Sequence, residues 1–238
     1  MQNHLASLVL ALLVSGLAQA NALAYSTSVN NLFATIPDGD INGYQNSLSV
    51  SGLSGSVSHV SVTLNISGGF NGDLYAYLFH NHTNAILLNR VGLSSANSVG
   101  YPNTGFGPDA ASASFTLDDL GGHDVHLYQT VPYSLNGSGQ LTGLWQPDGR
   151  AIDSGSAGSA FDSAARSNPL GIFNSMDPNG VWSLFVADVS PGGVSTLVGW
   201  GLTVDVPEPS GATLLCCGLV GMLWATGRSA SKSPRLAP

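Results

Sequence analysis

The sequence predicts an all-β protein, a jelly-roll-like β-sandwich held between two terminal targeting segments. Three observations carry this: stretches in which apolar residues recur at every second position, glycine-rich turns between them, and an uninterrupted apolar run near each end of the chain. In the first stretch Val60, Val62, Leu64 and Ile66 point one way and His59, Ser61, Thr63, Asn65 and Ser67 the other. That is the period of a half-buried strand. Gly68, Gly69, Asn71 and Gly72 make the turn that follows. The next strand runs over residues 73–80, with Tyr75, Tyr77 and Phe79 alternating against Leu74, Ala76 and Leu78. Residues 85–91 and 113–117 continue the pattern. Near the end, Trp182, Leu184 and Val186 share one face, Ser190-Pro191-Gly192-Gly193 is a turn, and Val198, Trp200, Leu202, Val204 and Val206 share a face of the last strand. Two long strands joined in this way read as a hairpin. No segment of the body carries an amphipathic helical period, and many short strands with glycine-rich turns point to a sandwich or jelly roll.

Two stretches interrupt the pattern. Residues 151–168 are mostly Ser, Ala and Gly with Asp153, Asp162 and Arg166 scattered through them, which predicts a flexible surface insertion rather than a second domain. Residues 97–113 form a second long loop.

The ends set the location. Residues 5–17 form an apolar run too short to span a membrane stably. It is followed by two small-x-small sites, Ala18-Gln19-Ala20 and Ala22-Leu23-Ala24. Residues 1–24 therefore read as a signal peptide cleaved after Ala20 or Ala24, although no Lys or Arg precedes the run. At the other end, residues 211–227 hold no charged side chain and read as one transmembrane helix. At about 1.5 Å per residue they cover most of a ~30 Å hydrocarbon core. Arg228, Lys232 and Arg235 follow, half of the six Lys and Arg in the chain. Under the positive-inside rule these cations stay cytoplasmic and the body lies outside. The cargo domain is then 25–206, and the tail 207–238.

Composition excludes several classes. The formal net charge is −8, and between Asp38 and Glu208 the only cations are Arg90, Arg150 and Arg166. Nucleic acid is not an expected partner of so acidic a body. Both cysteines, Cys216 and Cys217, lie in the apolar tail, so the body holds no disulfide, no thiolate zinc site and no Cys nucleophile. Glu208 is the only Glu, which rules out a His-Glu-x-x-His metalloprotease site and a Glu pair of the glycosidase kind. No Gly-x-Ser-x-Gly elbow is present. The reading is a protein without catalysis of its own.

Hard oxygen ligands remain. Asp73 after its glycine turn and the adjacent Asp118 and Asp119 are the candidate calcium ligands. His80 with His82, and His123 with His126 around Asp124, are weaker transition-metal candidates. Tyr75, Tyr77, Tyr128 and Trp145 are candidates for stacking on sugar rings.

Two resemblances add to this. Pro207-Glu208-Pro209, a short apolar helix and a basic end resemble a PEP-CTERM sorting signal, over about the last thirty residues. The resemblance implies that Pro207, Glu208 and Pro209 are read and processed by an exosortase-like membrane enzyme. Carriers of such tails are typically two-membrane bacteria that make extracellular polysaccharide. The body, over roughly residues 30–206, resembles the P domain (P/Homo B) that follows the catalytic domain of proprotein convertases and many bacterial proteases. The ordered matches are Ile36-Pro37-Asp38, Leu64-Asn65-Ile66, Gly72-Asp73-Leu74, Leu87-Leu88-Asn89-Arg90, Phe115 with Asp118-Asp119, Trp145-Gln146-Pro147-Asp148-Gly149, Leu170-Gly171-Ile172-Phe173-Asn174, Asn179-Gly180-Val181-Trp182-Ser183-Leu184, Asp188 and residues 197–202. This resemblance implies a jelly-roll sandwich, calcium in some members, and a role beside a protease rather than as one; residues 151–168 depart from it. The function expected is a cell-surface or polysaccharide-matrix protein of structural or adhesive kind. The alternatives are a carbohydrate-binding module and a protease accessory acting in trans.

Overall fold

Strands form where the period-two pattern is cleanest, and they place their apolar faces against one another. The computed structural model describes residues 22–108 and 114–207. Eleven strands are found there: β1 (Ala22–Val29), β2 (Ala34–Ile36), β3 (Asp40–Val50), β4 (His59–Gly68), β5 (Leu74–His80), β6 (Thr83–Asn89), β7 (Gly105–Phe106), β8 (Phe115–Asp118), β9 (Gly143–Trp145), β10 (Gly180–Asp188) and β11 (Ser195–Pro207). One short helix, α1 (Gly158–Ser163), and 3-10 turns at Asn71–Asp73, Val125–Thr130 and Leu170–Phe173 complete it.

Two sheets face each other. The first has the order β1-β11-β4-β8-β9, with β2 also on β11 and β7 also on β4; the second is β3-β10-β5-β6. Eight of these strands, β2-β11-β4-β8 opposite β3-β10-β5-β6, have the connectivity of a jelly roll, two interlocked Greek keys that cross repeatedly between sheets. The body is thus an all-β sandwich of jelly-roll type, as its periodicity predicts. Val60, Val62, Leu64 and Ile66 of β4, Leu74, Ala76 and Leu78 of β5, Trp182, Leu184 and Val186 of β10, and Trp200, Leu202 and Val204 of β11 belong to one buried cluster. Each of the Val, Leu and Ile side chains contributes roughly 1.5–3 kcal/mol by leaving water.

Some expectations are corrected. β10 and β11 do not form a hairpin: β10 lies between β3 and β5, β11 beside β4 in the opposite sheet. The turn at Ser190–Gly193 is therefore an arch between sheets. Both strands bury an apolar face, which a hairpin and an arch satisfy equally, so the pattern alone does not separate them. On β11 the register slips between Leu197 and Gly199, and Leu197 takes the buried place expected for Val198. The loop at 97–113 contains strand β7 paired to Ile66 and Ser67. Residues 151–168 carry α1 and are tied down. Phe161 is buried, Arg166 donates to the carbonyls of Pro147 and Asp148, and Asn168 Nδ2 donates to the Asn84 carbonyl. The tail helix 211–227, and all of the signal segment before Ala22, lie outside the described residues. Among the described residues no helix is long and apolar enough to cross a membrane.

Candidate functional site

The described residues end at Pro207, the first residue of Pro207-Glu208-Pro209. Pro207 is exposed and still in β11, whereas Glu208 and Pro209 lie outside the described residues. The strand end is held by its neighbour: Asp205 pairs with His59 of β4, Ser58 N–H and Oγ both donate to the Asp205 carbonyl, and Val206 is buried.

The candidate calcium ligands go to separate places. Asp118 Oδ1 accepts from Leu120 N–H at 2.8 Å and faces His59 Nε2 at 2.8 Å. Asp119 accepts the N–H groups of Leu170 and Gly171, so it caps the 3-10 turn Leu170–Phe173. Asp73 lies 4.0 Å from Arg90 Nη2, whose side chain also donates to Gly72 O and Ser190 Oγ. Burial raises the Asp73 pKa, against the opposing charge of Arg90. With Arg90, Phe70, Val99, Tyr101 and Pro191 it lines a cleft of about 300 Å³. The three carboxylates do not share a position for one cation. Among the described residues no group of three His, Cys, Asp or Glu does. This donor set does not fit a common calcium ion.

Asp188, unremarked as a ligand in the sequence, stands behind Asp73. It is fully buried; Oδ2 accepts from Ser195 Oγ at 3.1 Å, and Oδ1 has no partner. Burial first, with the charges of Asp73 and Asp38 adding to it, pushes its pKa up to about 6, against the Ser195 hydrogen bond.

The histidine pairs are not pairs. His80 is buried with Nδ1 on the Val181 carbonyl and Nε2 on the Asp177 carbonyl, and its ring stacks on Trp182 at 3.8 Å, 1° from parallel. His82 sits in the β5–β6 turn at φ 65°. His126 is buried with Nδ1 2.7 Å from Asp148 Oδ2 and Nε2 3.0 Å from the Leu93 carbonyl, and its ring stacks on Phe161. Asp148 is completely buried and also meets Arg150, whose Nη2 reaches Asp124 Oδ2 at 2.8 Å. The motif at 145–149 is thus the knot that binds the 151–168 strap to the sheets. A lone buried charge is costly, and this one is compensated from several sides. His123 instead lines an open cleft of about 350 Å³ with Tyr133 and Trp145.

Of the four candidate sugar-stacking aromatics, Tyr128 is core and Trp145 is nearly so, with Nε1 donating to the Thr142 carbonyl. Tyr75 and Tyr77 stand on the outer face of the second sheet with Phe79 and Phe185. Tyr77 and Phe185 stack at 4.8 Å.

Sequence reasoning missed His59 opposite Asp205, and it matched Asp188 to the P domain without placing it near Asp73. The signal exists only once strands are paired, because each contact joins residues far apart in the chain.

No family model and no curated protein matches the chain. Solved structures are similar to it, among them two of one protease. The serine protease of Aeromonas sobria in complex with its chaperone is 15% identical with a TM-score of 0.43, covering 84% of this chain and 29% of that one. The Aeromonas sobria serine protease alone is 14% identical with a TM-score of 0.38, covering 83% and 29%. The chain spans less than a third of the length of either.

Proposed function

We propose that the protein is an exported cell-surface or extracellular-matrix component of structural or adhesive kind, sorted through its tail by an exosortase-like enzyme. The observation that supports this most is how far the core reaches: Val206 is still buried with the rest of β11, and Pro207, the first residue of Pro207-Glu208-Pro209, is exposed. Among the described residues the buried core is complete by Val206, so a cut within the motif leaves it whole. The other end supports the same reading. Ala22, the first described residue, is already in β1, so cleavage after Ala24 removes three strand residues that cleavage after Ala20 spares. The mature domain then acts by binding or by bulk, not by catalysis. Removal of residues 207–238 is expected to leave a folded domain that no longer reaches the cell surface; unchanged surface delivery overturns the proposal.

A second reading, a carbohydrate-binding module, is favoured by the outward placement of Tyr75, Tyr77, Phe79 and Phe185. Stacking on such rings is worth roughly 0.5–1.5 kcal/mol beyond buried area. A glycan array with no signal, or one unchanged by Tyr77→Ala, removes it. The P-domain resemblance supports a third, a protease accessory in trans, and co-purification without a protease counts against that.

A further inference from the structure

Three strands of the larger sheet meet at one side chain. His59 opens β4, Asp205 stands directly opposite on β11, and Asp118 ends β8 on the other flank. His59 Nδ1 is 3.1 Å from Asp205 Oδ2 and Nε2 is 2.8 Å from Asp118 Oδ1. An ionised carboxylate only accepts hydrogen bonds, so both contacts are hydrogen bonds only when both ring nitrogens carry protons, as in the imidazolium. Asp118 has a second donor in Leu120 N–H. Asp205 has none among the described residues: its Oδ1 is buried without a partner, so His59 supplies the one hydrogen bond its carboxylate receives. Asp205 lies two residues before Pro207.

We propose that protonated His59 is a clasp that fastens the end of β11, and with it the head of the sorting motif, to β4 and β8, and that it opens when the imidazole loses its proton. Its link to processing rests on the reading of Pro207–Pro209 as a sorting signal; the clasp itself does not.

The surroundings support the direction. Burial lowers the His59 pKa, but the hydrogen bonds and charges of Asp118, then Asp205, outweigh it and the net shift is upward. A raised folded pKa means that the contribution is complete below the unfolded value of about 6.5 and is lost as pH rises through the folded value. No other cation substitutes: β1, β4, β8 and β11 carry no Lys or Arg. The remaining titratable groups on these strands and beside them are Tyr25 on β1, Asp119, which is turned to the Leu170 and Gly171 amides, and Glu208, which follows β11 outside the described residues. His59 and both carboxylates are partly exposed, 13–26%, so proton exchange with solvent is open.

The test is hydrogen–deuterium exchange of peptides covering residues 200–207 in the full-length chain from pH 5.5 to 9, corrected for intrinsic exchange. A ¹⁵N NMR titration of the His59 ring runs alongside. Protection should fall as the ring titrates, by about tenfold for each unit by which its pKa is raised. His59→Gln should lack this step and show at pH 5.5 the protection that the native chain shows at pH 9. The native chain alone also decides: protection that stays flat through the ring titration, or a ring that titrates below 6.5, overturns the clasp. Equal native protection in His59→Gln at pH 5.5 does the same. If the step is present but cells process His59→Gln and the native chain equally, the link to sorting is overturned while the clasp stands.

Discussion

Asp188 keeps one carboxylate oxygen without a hydrogen bond beside two further carboxylates, Asp73 and Asp38. Its pKa of about 6 lies above the usual carboxylate range. A raised acid holds a proton in the folded chain that the unfolded chain has already released, so stability falls as pH rises from about 4 to 6 and stays lowered above that. Asp188→Asn is therefore expected to stabilise the protein at pH 8 by roughly 1 kcal/mol, about 2–4 °C in melting temperature. It should also flatten the pH dependence between 4 and 6; a lower melting temperature at pH 8 contradicts this. Trp182 makes the opposite case. It is fully buried between His80 and Phe173 and donates Nε1–H to the Pro178 carbonyl. Trp182→Ala should cost about 3–5 kcal/mol in a denaturant titration. Because Asp118 and Asp119 already accept backbone amides, millimolar calcium should leave the melting temperature unchanged, and a rise of several degrees would show that they release those amides to a cation. At this scale the sequence identified which residues carry charge but not which meet: His59 and Asp205 are 146 positions apart, and only strand register brings them together.

Elements were legible where alternation is unbroken. β4 and β5 sit where their period places them, because each has one face on the core and one outside. β3 escaped notice although it is 11 residues long. Its pairing with β10 skips between Val186 and Asp188, and the bulge carries Gly43 at φ 52°, which breaks the period that a strand is recognised by. A Cβ on Gly43 would press on the Val186 carbonyl oxygen, and Phe185 covers the bare backbone. Gly43→Ala should cost about 2 kcal/mol, read as a lower denaturation midpoint with unchanged slope. The strap at 151–168 misled for the converse reason. Its Ser, Ala and Gly resemble a linker, yet one aromatic residue, Phe161, and the Asp148 knot are enough to fix it. Phe161→Ala should cost up to about 3 kcal/mol and open the strap to limited proteolysis between 151 and 165, where the native chain resists.

Across the molecule, two interlocked Greek keys put β2 and β11 side by side in one sheet, and β1 pairs with β11 as well. The period of two predicts a sandwich, but the crossings between sheets are invisible to it, and so the arch at Ser190–Gly193 was expected as a hairpin. The same arrangement carries the central claim, that the sheet structure is cargo bounded by two removable addresses. Mass spectrometry of the termini of the protein recovered from its producing cells tests that claim most directly. The expected chain is extracytoplasmic, starts at Asn21 or Tyr25 and ends close to the Pro207-Glu208-Pro209 motif; a cytosolic chain with both ends intact would contradict it.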